Sequence, residues 1–390
     1  MDRIKQTIKM IMGKKLPKRI APLVIVIVAA LITFVTCAPW EAPAPKESAP
    51  DFLSEEPPEA PPPGAPGDDQ EPGLDPEPGL ESIGLVNPLT GLPTDKYLTN
   101  TRPLAIMINN APDAQPQLGV SQADILYETL VEGGRTRMLA IYQDVSDVGV
   151  IGSIRSARPC YVDIAQSYDA VYIFAGASME AYSILANRNI TRLDGVNGRL
   201  TQIYYRDSQR ARTMSFEHTL VTSGERIMRW LPTYDFRLEH EPGYERALLF
   251  AEDGAPSNGS PASDFVVRFS SGKSTTFSYR EDSGRYYLGQ FAGAYRDGND
   301  NVQLSFTNVL ILKTSINQIP GDSEGRLRIA TTGSGVGYFA CGGEYIEIEW
   351  SRDGEGSQFE YWLKDGSQLV LGQGKTYICI IPNNVNVDFT

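Results

Sequence analysis

The sequence predicts an α/β (or α+β) N-terminal domain followed by an all-β C-terminal domain, preceded by a signal or anchor segment and a disordered linker. Three observations predict this. A basic stretch and an apolar run open the chain, and an acidic proline-rich segment follows. From about residue 87 to 246, strand-like and helix-like segments alternate, which points to mixed layers of helix and sheet. From about residue 247 to 390, short β-rich runs recur between Gly, Asp and Ser clusters, the texture of a sandwich or barrel-like domain. At 390 residues the chain is long enough for two cores.

Residues 1–19 carry seven Lys/Arg against Asp2, a local charge of +6. The apolar run from Ile20 to Thr36 follows and ends at Cys37. Basic, then apolar, then Cys is the order of a secretory signal whose terminal cysteine is lipidated. An uncleaved signal anchor is the rival reading, because the run approaches the roughly 17–25 residues that a spanning helix needs. Lipidation of Cys37 is preferred, since a proline-rich tether begins directly after it. In either reading the basic flank holds the N-terminus inside, which puts the rest of the chain outside the cytoplasm on the outer face of the membrane.

The second segment, residues 38–86, is Pro, Glu, Asp, Ala and Gly with few core formers. It cannot bury enough surface to offset its ordering entropy, and its prolines favour an extended spacer. Residues 38–90 hold twelve Asp/Glu and only Lys46. That is most of the acidity in a chain of net charge -13. The acidity therefore describes the tether rather than a substrate, and nucleic acid is excluded as a partner because phosphate binding needs a basic face.

Within 87–246, Pro103–Ile108 reads as a strand. Ile125–Glu132 and Thr136–Gln143 read as strands joined at Gly133-Gly134, a hairpin signal. Val148–Ile154 is a further apolar run. Pro159 starts a helix. Ala170–Phe174 is a strand, and Ser178 caps a helix through about Asn187. Glu241-Pro242-Gly243 lies near the join to the β-rich half.

The stretches NPLTGL (87–92), RPLAIMINN, QPQLGVSQADILYETLVEGGRTR and IGSIRSARP, with the tail GSGVGYFACGGEYIEIEW…GKTYICIIP, resemble the YerB-like lipoproteins in order across most of residues 87–390. The resemblance implies a lipid-anchored extracytoplasmic protein with an α/β N-terminal and a β C-terminal domain. It implies no established reaction. Where members of that family tend to carry Pro-His-Asn, this chain has Glu217-His218-Thr219.

The candidate site residues cluster in the first half. With a two-residue turn at Gly133-Gly134, Glu132 pairs with Arg135, Leu130 with Arg137 and Glu128 with Leu139. Glu128, Glu132, Arg135 and Arg137 then share one face, which is an ion-paired solvated surface or part of a ligand site. Glu128 and Glu132 lie about 13 Å apart at the strand rise, beyond the roughly 5–9.5 Å of a glycosidase pair. Arg155 and Arg158, in the segment between a strand and a helix, have guanidinium forks suited to carboxylate or phosphate, with Asp163 following on the helix. The bland alternative pairs them with Glu132 or Asp163 to organise the loop. Asn109, directly after the first strand, is a further candidate ligand contact. His218 is one of two histidines, with His240, and is a candidate general base or a hydrogen-bonded structural group. Ser178 reads as a helix cap rather than a nucleophile, because Glu180 stands where the nucleophile elbow needs Gly.

Two histidines and no close cysteine pair give no metal site and no cofactor motif. Asp297, Asn299 and Asn301 have calcium-loop spacing but lack the Gly and Glu that complete it, and read as a turn. Cys160, Cys341 and Cys379 read as small buried hydrophobes, with a Cys341–Cys379 bridge the alternative.

Two functions remain open. The first is an envelope protein that binds a wall polymer or a partner protein, with Asn109, Glu128, Arg137, Arg155, Arg158 and Asp163 as ligand contacts. The second is a wall-modifying enzyme, glycan-cleaving or hydrolytic, with Glu132 and His218 as its catalytic groups.

Overall fold

The computed structural model describes residues 85–197 and 202–390. Cys37, the apolar run and nearly all of the 38–86 linker lie outside them. Among the described residues, no helix is long and apolar enough to cross a membrane.

The alternation in the first half is realised. Leu104–Asn110, Ile125–Leu130, Thr136–Tyr142 and Val171–Phe174 are strands, and α1 (Pro159–Ser167) and α2 (Met179–Asn187) are helices. Pro159 occupies the start of α1, where its missing N–H costs nothing. Ser178 caps α2, its Oγ accepting from the Ala181 amide at 3.3 Å. A third helix, α3 (Gly224–Trp230), has the same kind of cap from Ser223. The second half is mostly strand, as its texture predicts.

One feature is not visible in the sequence. Among the described residues, an eleven-stranded sheet runs through both halves. Thr376–Pro382, close to the C-terminus, lies parallel to Asn308–Thr314 on one side and to Ile125–Leu130 on the other. Its run Tyr-Ile-Cys-Ile-Ile is apolar without alternation, as expected of a parallel strand covered on both faces. Beyond Ile125–Leu130 the sheet continues through Thr136–Tyr142, Leu104–Asn110, Val171–Phe174 and Arg192–Asp194.

The two-fold period of the strands distributes side chains to two layers. Ala105, Met107, Tyr127 and Leu139 face Tyr161, Ile164 and Ala165 of α1 with Leu185 of α2. Ile106, Ile108, Leu126 and Met138 face the opposite way. They pack with Ile227 of α3 and with Phe265, Val267, Phe277 and Leu288 from a six-stranded sheet built on Asp264–Ser270, Lys273–Arg280 and Arg285–Gln290. Cys160, Cys341 and Cys379 are buried free thiols inside these cores, so the alternative bridge is absent.

The hairpin register departs from the expectation. Leu130 pairs with Thr136, Thr129 with Arg137 and Glu128 with Met138, one residue out of step with the two-residue turn. The cause is the loop. Val131 donates its amide to the Arg135 carbonyl at 2.8 Å, and Gly133 and Gly134, both at φ 69°, supply the left-handed backbone of a longer turn. A slip of one moves every side chain to the other face. Glu128 therefore points away from Arg137 and drops out of the predicted polar face, whose other members, Glu132, Arg135 and Arg137, stay together. Both faces of this hairpin are buried.

Candidate functional site: an arginine-lined cleft

Leu104–Asn110 lies parallel to Val171–Phe174 and antiparallel to Thr136–Tyr142. Crevices outside the carboxyl ends of parallel strands are where open α/β sheets place ligands. Here the segment Ile154–Ala157 wedges into that end. The Arg155 amide donates to the Met107 carbonyl at 3.1 Å, and the Arg155 carbonyl accepts from Ala175 at 3.0 Å. This anchors Arg155 and Arg158 beside the hairpin loop. A cleft of about 390 Å³ results, lined by Asn109, Glu132, Arg135, Thr136, Arg137, Arg155, His218 and Glu324, among others.

The sequence-predicted residues divide into two groups. Asn109, Glu132, Arg137, Arg155 and His218 line the cleft, and Arg158 reaches it through Glu132. Glu128 and Asp163 do not. Glu128 is fully buried on the opposite face of the hairpin. Its Oε1 accepts from Asn110 at 2.8 Å and Thr136 at 2.6 Å, and lies 3.1 Å from Lys273 Nζ. Its Oε2 accepts from Thr275 at 2.8 Å, Tyr377 at 2.6 Å and Gln290 at 3.2 Å. Burial pushes the Lys273 ammonium pKa down, against the pull of Glu128. Asp163 is engaged by Arg188 at 2.7 Å and Thr331 at 2.9 Å. The other histidine, His240, lies in a separate cluster, 3.0 Å from Asp169.

Glu132 is held tightly. Arg158 Nε and Nη2 both approach its Oε1 at 2.5 Å, and Arg137 Nη2 stands 4.0 Å from its Oε2. Burial alone would raise this carboxyl, but the Arg158 and Arg137 charges outweigh it and hold the pKa below its ordinary value. Glu132 is thus ionised at neutral pH and unsuited to donate a proton.

Arg137 is buried, with Nη1 donating to the Ser156 carbonyl at 2.7 Å. Burial first, then the neighbouring charge of Arg158, push its pKa down to about 9, with Glu132 opposing. Arg155 donates from Nη1 to the Glu217 carbonyl at 3.2 Å. Its buried Nε has no hydrogen-bond partner among the described residues. Buried polar atoms are normally paired, so an orphan donor at a cleft wall needs a reason.

The tautomer of His218 follows from Asn109. Asn109 Oδ1 accepts from the Ala111 amide at 3.1 Å, which turns its NH₂ toward His218 Nδ1 at 2.9 Å. Nδ1 is therefore the acceptor, and in the neutral ring Nε2 carries the proton. Burial and Arg155 lower the histidine pKa against the pull of Glu217. His218 offers the cleft an N–H donor; a base would need the lone pair that Asn109 already occupies. What converges is a set of donors, the guanidiniums of Arg135, Arg137, Arg155 and Arg158 and an imidazole N–H, around the compensated carboxylate of Glu132, with Glu324 also in the lining.

Two residues escaped sequence reasoning. Glu217, near Arg155 and His218, was visible only as a departure, and the lining residue Glu324 gave no signal at all, since a loop more than a hundred residues away carries it.

Two family descriptions match the chain: "Protein of unknown function (DUF3048) N-terminal domain" over residues 89–237 and its C-terminal counterpart over residues 265–378. The chain is 29% identical over 302 residues to "Putative lipoprotein YerB" of Bacillus subtilis (strain 168), covering 76% of this chain and 86% of that protein. The crystal structure of the YerB protein from Bacillus subtilis superposes with a TM-score of 0.67 at 26% identity, covering 78% of this chain and 99% of the other. The paired domains, the matching fold and the identity along most of the length together make this chain a member of the YerB-like family.

Proposed function

We propose that this protein is an anchored envelope lipoprotein that captures an anionic group of a wall polymer, or of a partner protein, in its arginine-lined cleft. The observation that carries the reading is the concentration of positive charge in the cleft wall: the buried Arg137 and the half-buried Arg158 share the carboxylate of Glu132, while the half-buried Arg155 stands 3.9 Å from the rim carboxylate of Glu217 and its Nε has no partner among the described residues. Unpaired charge in a shielded place is costly, and an incoming anion relieves it. The likeness to a lipoprotein supports the envelope location, and the basic leader with Cys37 supports attachment to the outer face of the membrane.

Retention of the full-length protein, held in detergent, on purified wall sacculi tests the binding. Wild type is expected to be retained and Arg155→Ala to be released. Absence of retention, together with absence of any captured partner, overturns the proposal. The location is tested by protease on intact protoplasts, which is expected to digest the body of the protein. The wall-modifying alternative is weaker, because Glu132 is locked as an anion and His218 acts as a donor. Its assay is mass spectrometry of wall fragments incubated with wild type and with Glu132→Gln; new products from wild type alone would restore it.

A further inference from the structure

Within the anion-capture reading, on which this rests, we infer that the ligand's anionic group is the carboxylate of a free α-amino-carboxylate head group, whose ammonium is received by Glu217. The argument starts from the rim. The Glu217 side chain is 58% exposed, in the short turn Phe216–His218. Its Oε2 lies 3.9 Å from Arg155 Nη1, and its Oε1 lies 3.6 Å from His218 Nε2. Both distances exceed hydrogen-bond length, so the carboxylate is near these donors without being committed to them.

An acidic group at this position has a consequence for selection. A bare anion approaching Arg155 and His218 meets the Glu217 charge a few ångströms away and is repelled. A ligand carrying cation and anion on adjacent atoms meets complementary charges instead. The spacing matches: donor and carboxylate stand under 4 Å apart on the protein, and in an α-amino acid one carbon separates ammonium from carboxylate. The exposed part of the Arg155 guanidinium and the His218 N–H take the carboxylate, and Glu217 takes the ammonium. Glu324 adds a third carboxylate, after Glu132 and Glu217. Phe216 is 73% exposed next to Glu217 and pinned by the Arg206 guanidinium 3.6 Å above its ring, which leaves an apolar shelf for whatever the head group is attached to.

Two sources share this chemistry: a free amino acid, and a diaminopimelate side chain of a wall peptide, which ends in the same head group. Titration of the full-length protein in detergent with four probes separates the outcomes. The probes are alanine, N-acetylalanine, alaninamide and a diaminopimelate-terminated tripeptide with its head group free. Alanine is expected to bind at least tenfold more tightly than N-acetylalanine, and alaninamide to bind least. Glu217→Gln is expected to erase the difference between alanine and N-acetylalanine while strengthening N-acetylalanine binding. Equal binding of alanine and N-acetylalanine by wild type overturns this inference and leaves anion capture standing. Failure of alanine, N-acetylalanine, the tripeptide and inorganic phosphate to bind overturns both. Tighter binding of the tripeptide than of alanine identifies the wall as the source, and the reverse order identifies free amino acid.

Discussion

Glu128 and Glu132 sit four residues apart on one hairpin and have opposite surroundings. Glu128 is sealed between the central sheet and the six-stranded sheet, with five hydrogen-bond donors and the Lys273 ammonium on its two oxygens. Glu132 stands at the mouth of the hairpin, gripped by one arginine and approached by a second. The first environment is saturated, and nothing is left for a ligand to do. The second holds more positive charge than its carboxylate neutralises. Saturation marks a polar group that serves the fold, and incomplete pairing marks one that faces a partner.

The largest expected effect tests the sealed side. Glu128→Ala leaves Lys273 buried without its counter-charge and is expected to cost about 3–5 kcal/mol in chemical denaturation. A double variant, Glu128→Leu with Lys273→Met, is expected to recover only the part of that loss due to the uncompensated ammonium, because the donors that Glu128 satisfied stay unpaired. A cost below about 1 kcal/mol for Glu128→Ala would erase the contrast between the two glutamates.

On the open side the expectation reverses. Glu132→Gln is expected to change stability by less than about 1 kcal/mol, and to strengthen binding of N-acetylalanine several-fold, since a competing carboxylate leaves the guanidiniums. Weaker binding after this substitution would show that Glu132 itself contacts the ligand through its charge.

A pH series sharpens the same side. With the Arg137 pKa pushed down to about 9 by burial and by Arg158, its cationic form dominates below that value and is lost above it. Anion binding is expected to stay level from pH 7 to 8 and to fall as pH rises through about 9. Arg137→Met is expected to bind more weakly and to lose the fall. Binding that is level to pH 10 in wild type would remove Arg137 from the site.

An effect confined to low pH belongs to a third carboxylate, midway between the two cases. Burial tends to raise the Asp169 pKa, but its bonds to His240 and Arg237 prevail and hold it at about 2. The folded value lies below the unfolded one, so its contribution, on the order of 2 kcal/mol, is present above about pH 4 and is lost as pH falls toward 2. Asp169→Asn is expected to flatten that acid limb of the stability curve.

Local pattern made much of this architecture legible. The Pro159 start of α1, the Ser178 cap of α2 and the strands around Met107 and Ile173 each rest on neighbours within a few residues. TYICIIP even announced that it is covered on both faces, since alternation is missing from it. Where that strand goes was not legible. Its pairing with Ile125–Leu130 joins residues some 250 positions apart, and no local signal encodes such a contact. The site shows the same division. Asn109, Arg155 and Arg158 were recognisable from residue type and from their place between elements. Glu128 was misassigned because one extra turn residue reversed its face, and its counter-charge Lys273 comes from the other half of the chain.

The placement of Thr376–Pro382 also bears on how the protein is made. A polypeptide leaving the ribosome or a translocation pore delivers this strand some 250 residues after Ile125–Leu130, yet the two lie side by side in the sheet. Until it arrives, Ile125–Leu130 and Asn308–Thr314 each present an unpaired rank of amides and carbonyls. Any copy that stops short of residue 376 therefore carries two open margins that the arrival of this strand closes.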